Sequence, residues 1–535
     1  MSADRRVFLK TAGLSAAASG FAVPWARAEQ QLPSAAPGQS TLSFDVRSFG
    51  AVGDARAIDS PAVNQAIEAA AAAGGGTIHF PAGTYACYSI RLRSNVALHL
   101  DSGSTILAAD TPTDGATTGG YDPAETSDGD NHFQDFGHSH WHNSLIWGES
   151  LHDIAIFGRG LIWGRGLSRG WDTETPRAES PGVGNKSIAL KNCRNVLLRD
   201  FSILKGGHFG ILATGVDHLT IDNVLIDTNR DGMDLDCCRN TRVSNCTVNS
   251  PWDDAICPKS SYALNEPRMT ENLTISNCLL TGSYQLGSVL DGTFRKFAPG
   301  SSAYRTGRIK FGTESNGGFR NITASNCVFD GCGGIALESV DGALLEGVTF
   351  VGITMRDISD APIFFRLGRR MRGPAGRPVG TLRRVILSNI VSYNSASNLC
   401  SIISGIPGHA IEDLKISDIY LHHQGGGTKK MAALLPPENE SDYPEPNMFG
   451  SMPGHGFFLR HVRNIEFSNV EIACEQSDAR PAFVLDDVNG ADFFRTKTPA
   501  NAGPVFSLRK VSGFRALACR GVKDLQLERA RRKEL

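Results

Sequence analysis

The sequence predicts an all-β fold, a single-stranded right-handed parallel β-helix in which short strands stack coil upon coil into a solenoid. The first observation is a repeated phrase of alternating apolar and polar residues, as in residues 219–224 (LTIDNV) and 273–278 (LTISNC). The second is its spacing, because Asp or Asn recurs in this phrase at positions 200, 223, 245, 277 and 326. A unit of ~22 residues with loop insertions is typical of a β-solenoid. A β-sandwich also has short alternating strands, but it does not repeat one phrase at matching intervals.

The third observation is a helix placed where a solenoid needs a cap. The open end of a solenoid exposes the apolar interior of its coils and has to be covered. Ser60 suits a helix N-cap and Pro61 the first helical position. Residues 62–73 are strong helix formers, and three glycines at 74–76 end the run. The sequence therefore predicts an N-terminal capping helix.

The N-terminal residues are typical of a twin-arginine signal peptide. Arg5 and Arg6 precede an uncharged run at residues 11–25 and a small-x-small site at residues 26–28. We therefore expect residues 1–28 to direct export through the twin-arginine machinery to the periplasm or the medium. Residues 29–44 are predicted as a linker, 45–505 as the β-helix catalytic domain, and 506–535 as a C-terminal coil or tail with frayed last residues.

Charge, hydropathy and cysteine content limit the partners. The net charge of −2 argues against a nucleic-acid partner, which normally meets a basic surface. No stretch beyond the signal reaches the ~18 apolar residues of a membrane span, and we expect a monomer. The twelve cysteines allow up to six disulfides. Four of them follow an Asn in one recurring context, which equally indicates stacked buried thiols: Cys193, Cys246, Cys278 and Cys327. The recurring Asn residues predict a ladder of side-chain amides along one turn of the coils.

Aspartates at the repeat spacing predict the catalytic chemistry. Asp231 and Asp253 are one unit apart, 22 residues, and Asp254 follows directly. Stacked strands place such side chains on one face at about the ~4.8 Å strand separation. Crowded carboxylates cannot all ionise, so one remains protonated as a general acid while an ionised neighbour activates water. Glycoside hydrolysis needs such a pair. We expect Asp234, Asp236, His208 and His409 to be structural, and no metal or cofactor, since no His/Cys cluster has ligand spacing.

Longer motifs add a family resemblance. Residues 47–54 (RSFGAVGD) and 75–85 (GGTIHFPAGTY) resemble the opening coils of the pectin-degrading β-helix superfamily. Residues 158–164 (GRGLIWG), 229–234 (NRDGMD) and the Asp253-Asp254 pair resemble family 28 of the glycoside hydrolases, the polygalacturonases and rhamnogalacturonan hydrolases. The resemblance implies an inverting hydrolase of pectic, uronic-acid-containing chains. It assigns Asp253 as the acid, Asp231 and Asp254 as holding water, Asn229 as orienting the cluster, and Lys259 as binding a substrate carboxylate.

The sequence departs from the family after the aspartate pair. A Gly-His-Gly motif is expected one coil later, and residues 281–288 contain no histidine. Arg308-Ile309-Lys310 matches a further family motif, but its flanking phrase at 311–321 places it one coil early, and residues 336–338 then take its expected place. Arg308 and Lys310 would bind the substrate from a neighbouring coil. Alternatively, Glu338 and Asp341 form a different subsite, one suited to a neutral sugar.

Two segments and two rival functions complete the predictions. The Pro-rich insertion at residues 424–455 is long enough to be functional, and covering one end of the groove would favour exo action. An arginine-rich loop is interpreted as solvated, with a grip on an acidic glycan as the alternative: Arg366, Arg369, Arg370, Arg372 and Arg377. One rival is a β-helix polysaccharide lyase, which needs a basic residue and often Ca²⁺. The other is a non-catalytic glycan-binding solenoid.

Overall fold

Alternating apolar residues turn inward along successive strands and build one continuous interior. In three stacked strands the inward residues Val196, Leu219 and Ile221 are buried, whereas Arg194 and Arg199 point to solvent. This is the two-residue period of a β-strand with one buried face. The computed structural model describes residues 42–111, 120–126, 133–169, 180–298, 301, 305–396, 398–498 and 503–535. The predicted signal peptide, residues 1–28, lies outside the described residues.

The strands stack in three parallel sheets that run the length of the solenoid. Sheet 1 begins with Ser43–Asp45, Gly76–Phe80, Val96–Leu100, His152–Phe157, Arg194–Arg199, Asp217–Asp222, Arg239–Ser244, Thr270–Ser276 and Phe319–Ser325. Sheet 2 begins with Asp54–Ile58, Gly83–Cys87, Ser104–Ala108, Leu161–Trp163, Ser202–Leu204, Leu225–Asp227, Thr247–Asn249, Leu279–Thr281 and Val328–Asp330.

Sheet 3 carries the residues of the candidate site. Its strands are Ile90–Arg91, Ile146–Glu149, Lys186–Lys191, Phe209–Thr214, Asp231–Asp236, Ile256–Lys259, Ile309–Phe311, Ile335–Ser339, Ile363–Leu367 and Ser401–Ser404. In the later coils, longer strands span more than one sheet: Leu344–Arg356, Thr381–Ser395, Ile411–Gly425, Phe457–Gln476, Phe483–Phe494 and Phe506–Leu517. The predicted right-handed parallel β-helix is confirmed.

Both ends of the described chain are covered. The helix Ser60–Ala72 buries Val63 and Ile67 against the first coils, which confirms the capping helix. The residue at its N-cap is Asp59 rather than Ser60, and the Asp59 carboxylate accepts from the backbone of the preceding loop. The strand Leu525–Glu534 pairs antiparallel with the last long strand, so the prediction of a frayed tail is wrong. Short helices lie at Ser288–Asp291 and Lys429–Ala432, and 3-10 turns at Val46–Phe49, Phe136–His138 and Pro446–Phe449.

The recurring Asn residues form the predicted ladder, but on the exterior. Asn245 and Asn277 have φ values of 58° and 56°, a left-handed conformation that Asn adopts more readily than most residues. Asn277 Nδ2 donates to Asn245 Oδ1 at 3.3 Å on the exposed surface. The ladder therefore supports the turn rather than buried backbone groups. Among the described residues, no helix combines the length and apolarity needed to cross a membrane.

All twelve cysteines are free thiols, and eleven of them are buried. The thiols therefore serve as small interior side chains rather than as disulfides. Cys246 and Cys278 stack between sheets 1 and 2 of adjacent coils, as predicted. Cys193 is different, because it lies between the strands Lys186–Lys191 and Arg194–Arg199, at the turn from sheet 3 to sheet 1. The prediction that Cys193 occupies the same position as the other three is wrong, since the Asn-Cys phrase recurs at two different turns.

Candidate active site

Consecutive strands of sheet 3 bring the three predicted carboxylates together. Asp231 begins its strand, and Asp253 and Asp254 immediately precede the paired strand of the next coil, in which Ile256 lies beside Met233. One carboxylate oxygen from each aspartate lies within 4.8 Å of the others. The repeat spacing of the sequence therefore produces the predicted cluster.

A cavity of about 770 Å³ opens over this cluster. Its walls are formed by Asp135, Arg169, Asn229, Arg230, Trp252, Asp253, Thr306, Lys310, Tyr443 and Glu445. Asp253 faces the cavity with 22% of its side chain exposed, whereas Asp231 and Asp254 are buried behind it. Asn229 lies in the wall beside them, and its carbonyl accepts the backbone N–H of Trp252 at 3.1 Å.

Asp231 and Asp254 have opposite electrostatic surroundings. Burial, followed by the nearby carboxyls of Asp234 and Asp253, raises the pKa of Asp231 well above its ordinary value. Burial also opposes the charge on Asp254, but the Lys310 ammonium and the Arg308 guanidinium outweigh it and lower its pKa to about 2. One carboxyl therefore keeps a proton at neutral pH while another is ionised, which is the division of roles that acid–base catalysis requires.

Arg230 links Asp253 to a buried histidine. Its Nε lies 3.3 Å from Asp253 Oδ2, and its Nη2 lies 2.7 Å from His208 Nε2. Burial and the positive charge of Arg230 lower the pKa of His208 well below its ordinary value. His208 is therefore neutral and accepts the guanidinium hydrogen bond, which holds Arg230 against Asp253. His208 supports the site from behind rather than from the cavity wall.

Arg308 and Lys310 flank the strand position directly after the aspartate pair, because Ile309 pairs with Ile256. Arg308 Nε lies 2.9 Å from Asp254 Oδ1, and Lys310 Nζ lies 2.8 Å from Asp254 Oδ2. The Arg-Ile-Lys motif is therefore on the coil next to Asp253-Asp254, as the coil alignment predicted. Both cations are engaged by carboxylates of the chain itself.

The two remaining predicted ligands lie deeper. Lys259 is buried, with Nζ 3.0 Å from Glu314 and 3.7 Å from Asp234, and it is not part of the cavity wall. Glu338 is one coil beyond Lys310 and fully buried, and neither of its carboxyl oxygens has a hydrogen-bond partner. Burial raises the pKa of Glu338 to about 8. The Glu338 carboxyl is therefore protonated at neutral pH.

The arginine-rich loop is anchored rather than solvated. Arg366 is 1% exposed and donates to the carbonyls of Glu438 and Asn439 at 2.7 and 3.0 Å. Arg370 binds the Asp341 carboxylate through Nε at 3.0 Å and Nη2 at 2.5 Å. The interpretation of these two arginines as solvated is therefore wrong. They hold the insertion and a neighbouring loop in place, and Asp341 is taken up by this pair.

The insertion at residues 424–455 folds over the site and supplies side chains that the sequence analysis did not assign. The Tyr443 ring lies 5.7 Å from Lys310 Nζ, and Glu445 carboxylate oxygens lie 2.7 and 2.8 Å from Arg308 Nη2. Arg230 and Trp252 were also missed, although each is adjacent in sequence to a predicted aspartate. Glu445 has no such sequence signal, because it is 137 residues from its partner.

Two groups of side chains at the site have the atoms to hold a cation. The first is the aspartate cluster, and the second is His138 with Asp231 and Asp234, whose ligand atoms also lie within 4.8 Å of one another. Carboxylate oxygens suit Ca²⁺ or Mg²⁺, and imidazole suits transition metals. Arg308 and Lys310 already neutralise Asp254, which reduces the attraction of the first group for a cation.

Comparison with known proteins agrees with this architecture. The family model for rhamnogalacturonase A/epimerase, pectate lyase-like, matches residues 43–144, and the model for a right-handed beta helix region matches residues 186–370. A probable polygalacturonase of Vitis vinifera is 22% identical over 439 residues, covering 76% of this chain and 80% of that protein. The mannuronan C5-epimerase AlgE3 of Azotobacter vinelandii is 43% identical over 68 residues, and the match spans only 4% of the epimerase.

Solved structures share the fold. An exopolygalacturonase of Thermotoga maritima superposes with a TM-score of 0.60 at 18% identity, covering 81% of this chain and 92% of that one. A family 28 exopolygalacturonase of Yersinia enterocolitica gives 0.58 at 17% identity, covering 85% and 78%. With the family models and the curated relative, they confirm the resemblance. The chain is a divergent right-handed parallel β-helix protein of the pectin-degrading β-helix superfamily, similar to glycoside hydrolase family 28.

Proposed function

We propose that this protein is a glycoside hydrolase that acts on pectic, uronic-acid-containing chains. The observation that carries the proposal is the aspartate cluster at the cavity, in which Asp231 favours the protonated form and Asp254 the ionised form. Glycoside hydrolysis needs one carboxyl to protonate the leaving oxygen and one carboxylate to activate water. The cavity gives a substrate access to Asp253.

In the proposed reaction, Asp253 protonates the glycosidic oxygen, because it is the member of the cluster that faces the cavity. Asp231 stores the proton in the resting site, since burial favours its neutral form, and passes it to Asp253. Asp254 accepts a proton from water as the water oxygen bonds to the anomeric carbon and the glycosidic C–O bond breaks. The resemblance assigned the acid to Asp253 alone; the structure supports a proton shared between Asp231 and Asp253.

The stereochemistry of the product is part of the proposal. The family resemblance implies inversion, in which water attacks the sugar directly. The cluster oxygens lie within 4.8 Å, closer than the ~6.5–9.5 Å that separates the carboxyl groups of most inverting enzymes. A cluster of three carboxylates need not follow a rule derived for pairs, because Asp231 and Asp254 can hold the water between them. We therefore propose inversion.

We also propose exo action. The insertion at residues 424–455 lies against the cavity, where Tyr443 and Glu445 form part of the wall. A wall of this kind favours a bound chain end over a chain that continues past the site. Digestion of a long pectic chain should then release short products from the start, without an early fall in viscosity. A rapid fall in viscosity at low conversion would indicate random internal cleavage.

Export is proposed from residues 1–28, which lie outside the described residues. We expect the twin-arginine machinery to deliver the protein to the periplasm or the medium, where pectic fragments are accessible. Replacing Arg5 and Arg6 together with Lys should leave the full-length precursor inside the cell. Export that is unaffected by this change would contradict the proposed route.

The decisive experiment compares the wild type with Asp253→Asn on a panel of pectic oligosaccharides. We expect new reducing ends with the wild type and a loss of 10²-fold or more in the variant, roughly the worth of a general acid. Asp492→Asn is the matched control, because Asp492 makes a surface ion pair with Arg515 far along the chain from the site. Its activity should be unchanged.

The same assay separates the rival functions. Unsaturated products that absorb in the near ultraviolet would identify a polysaccharide lyase. Tight binding of the oligosaccharides without any cleavage would identify a glycan-binding solenoid. Either result would overturn the hydrolase proposal.

A further inference from the structure

A carboxylate from the insertion occupies the cationic pair beside the aspartate cluster. Glu445 lies 2.7 Å from Arg308 Nη2 and 3.6 Å from Lys310 Nζ. Glu445 and Lys310 both form part of the cavity wall. Arg308 and Lys310 are the residues that would otherwise bind the carboxylate of a uronic acid from this side of the cavity.

The charges around this pair are already balanced. Two cations, Arg308 and Lys310, face two ionised carboxylates, Asp254 and Glu445. Asp360 adds a further carboxyl, 3.5 Å from Arg308 Nη1. A uronate placed here would bring another negative charge next to Glu445 without a cation left to receive it. Like charges at this distance disfavour binding and provide discrimination between ligands.

Glu445 is held in position by the structure around it. The turn that follows begins with a 3-10 helix, Pro446–Phe449, in which Met448 N–H donates to the Glu445 carbonyl at 2.9 Å. Asn439 Nδ2 donates across the insertion to the Met448 carbonyl at 2.7 Å. Only 15% of the Glu445 side chain is exposed. The Glu445 carboxylate is therefore a fixed part of the wall rather than a mobile surface group.

The neighbouring wall suits an uncharged sugar. Tyr443 is two residues before Glu445, its ring lies 5.7 Å from Lys310 Nζ, and half of its surface is exposed. An exposed aromatic ring offers the apolar face of a sugar a broad contact surface, with the hydroxyl as a polar handle. Glu445 can accept hydrogen bonds from sugar hydroxyl groups. A neutral sugar satisfies both features without adding charge.

We propose that Glu445 is a specificity-determining residue that makes the sugar position beside Lys310 accept a neutral sugar and reject a uronate. This inference rests on the proposed function and narrows its substrate class. The chain cleaved at this site would then contain neutral sugars next to uronic acids, rather than uronic acids alone.

The test compares two substrates, an oligogalacturonate in which every sugar is a uronate and a rhamnogalacturonan oligosaccharide in which uronate and neutral sugar alternate. We expect the wild type to prefer the alternating chain. In Glu445→Gln, the ratio of kcat/KM for the all-uronate chain to kcat/KM for the alternating chain should rise about tenfold or more. A ratio that stays constant or falls would overturn the inference.

The matched control is Glu440→Gln, which makes the same chemical change in the same insertion. Glu440 pairs with Arg369 at 2.9 Å, away from the cavity wall. The substrate ratio of this variant should equal that of the wild type. Glu445→Ala provides a second test of the position, and thermal melts of both Glu445 variants confirm folding before kinetics are compared.

A binding measurement separates this inference from the proposed function. Calorimetry with trigalacturonate at low salt should show at least about fivefold tighter binding to Glu445→Gln than to the wild type, and the gain should shrink in 0.5 M salt. If neither substrate is cleaved, the proposed hydrolase function fails and the binding result alone decides the role of Glu445. Equal binding to both proteins would overturn that role.

Discussion

Replacing Asp254 with Asn should destabilise the protein in a pH-dependent way, because its carboxylate is buried against Lys310 and Arg308. Its pKa falls from the ordinary 3.8 to about 2. Since a tenfold change in proton affinity is worth ~1.4 kcal/mol, this shift corresponds to about 2 kcal/mol of folding free energy. The contribution is complete above the unfolded-state pKa near 4. It is lost as the pH falls through 4 towards 2, when the folded carboxylate also takes up its proton.

Urea unfolding of the wild type and Asp254→Asn at pH 7 and pH 3 measures this effect. We expect the variant to be less stable by about 2–4 kcal/mol at pH 7, because removal of one partner leaves two buried cations less well paired. At pH 3 the difference should be clearly smaller. Asp492→Asn, in an exposed pair, should change stability by less than ~1 kcal/mol at either pH. Equal stability at pH 7, or a difference that does not shrink in acid, would refute the electrostatic account of the site.

Three further predictions follow from the same structure. Asp231→Asn should lower kcat by ~10²-fold or more and move the alkaline limb of the pH profile to lower pH, since Asp253 then loses a neighbouring negative charge; an unchanged limb would contradict the shared proton. Burial lowers the pKa of Lys186 to about 7, so the unfolded chain binds its proton more tightly and wild-type stability should rise from pH 7 towards pH 10. Lys186→Met should remove most of this rise in urea titrations, and an equal slope would refute the assignment. Phe483 is buried among neighbouring phenylalanines, and Phe483→Ala should cost ~3–5 kcal/mol in the same assay; a loss below ~1 kcal/mol would contradict this packing.

The fold and the aspartate cluster were predictable because a solenoid converts sequence period into spatial register. Asp231 and Asp253 are separated by one unit of the repeat, so pairing between adjacent coils places their side chains together. The capping helix was predictable for a similar reason, since its start, its helix formers and its terminating glycines are local in sequence. Its exact first residue was not, because Asp59 forms its bonds with the preceding loop.

The features that sequence analysis missed depend on contacts that follow no period. The insertion at residues 424–455 contains no repeat, and nothing in its composition shows that Glu445 reaches Arg308. Arg366 was interpreted as solvated because a Gly/Pro-rich loop is usually exposed, whereas its partners are backbone carbonyls of the insertion. Backbone carbonyls are present at every residue and carry no sequence signal. The cavity wall is therefore the least predictable part of the site.

The configuration of the newly released sugar end tests the central claim most directly. NMR can follow the anomers formed during the first minutes of digestion of pectic oligosaccharides by the wild type, before mutarotation mixes them. With Asp253 and Asp231 sharing the acid proton and Asp254 activating water, we predict a saturated product whose anomeric configuration is inverted. A product with retained configuration, or an unsaturated product, would contradict the proposed roles of the aspartate cluster.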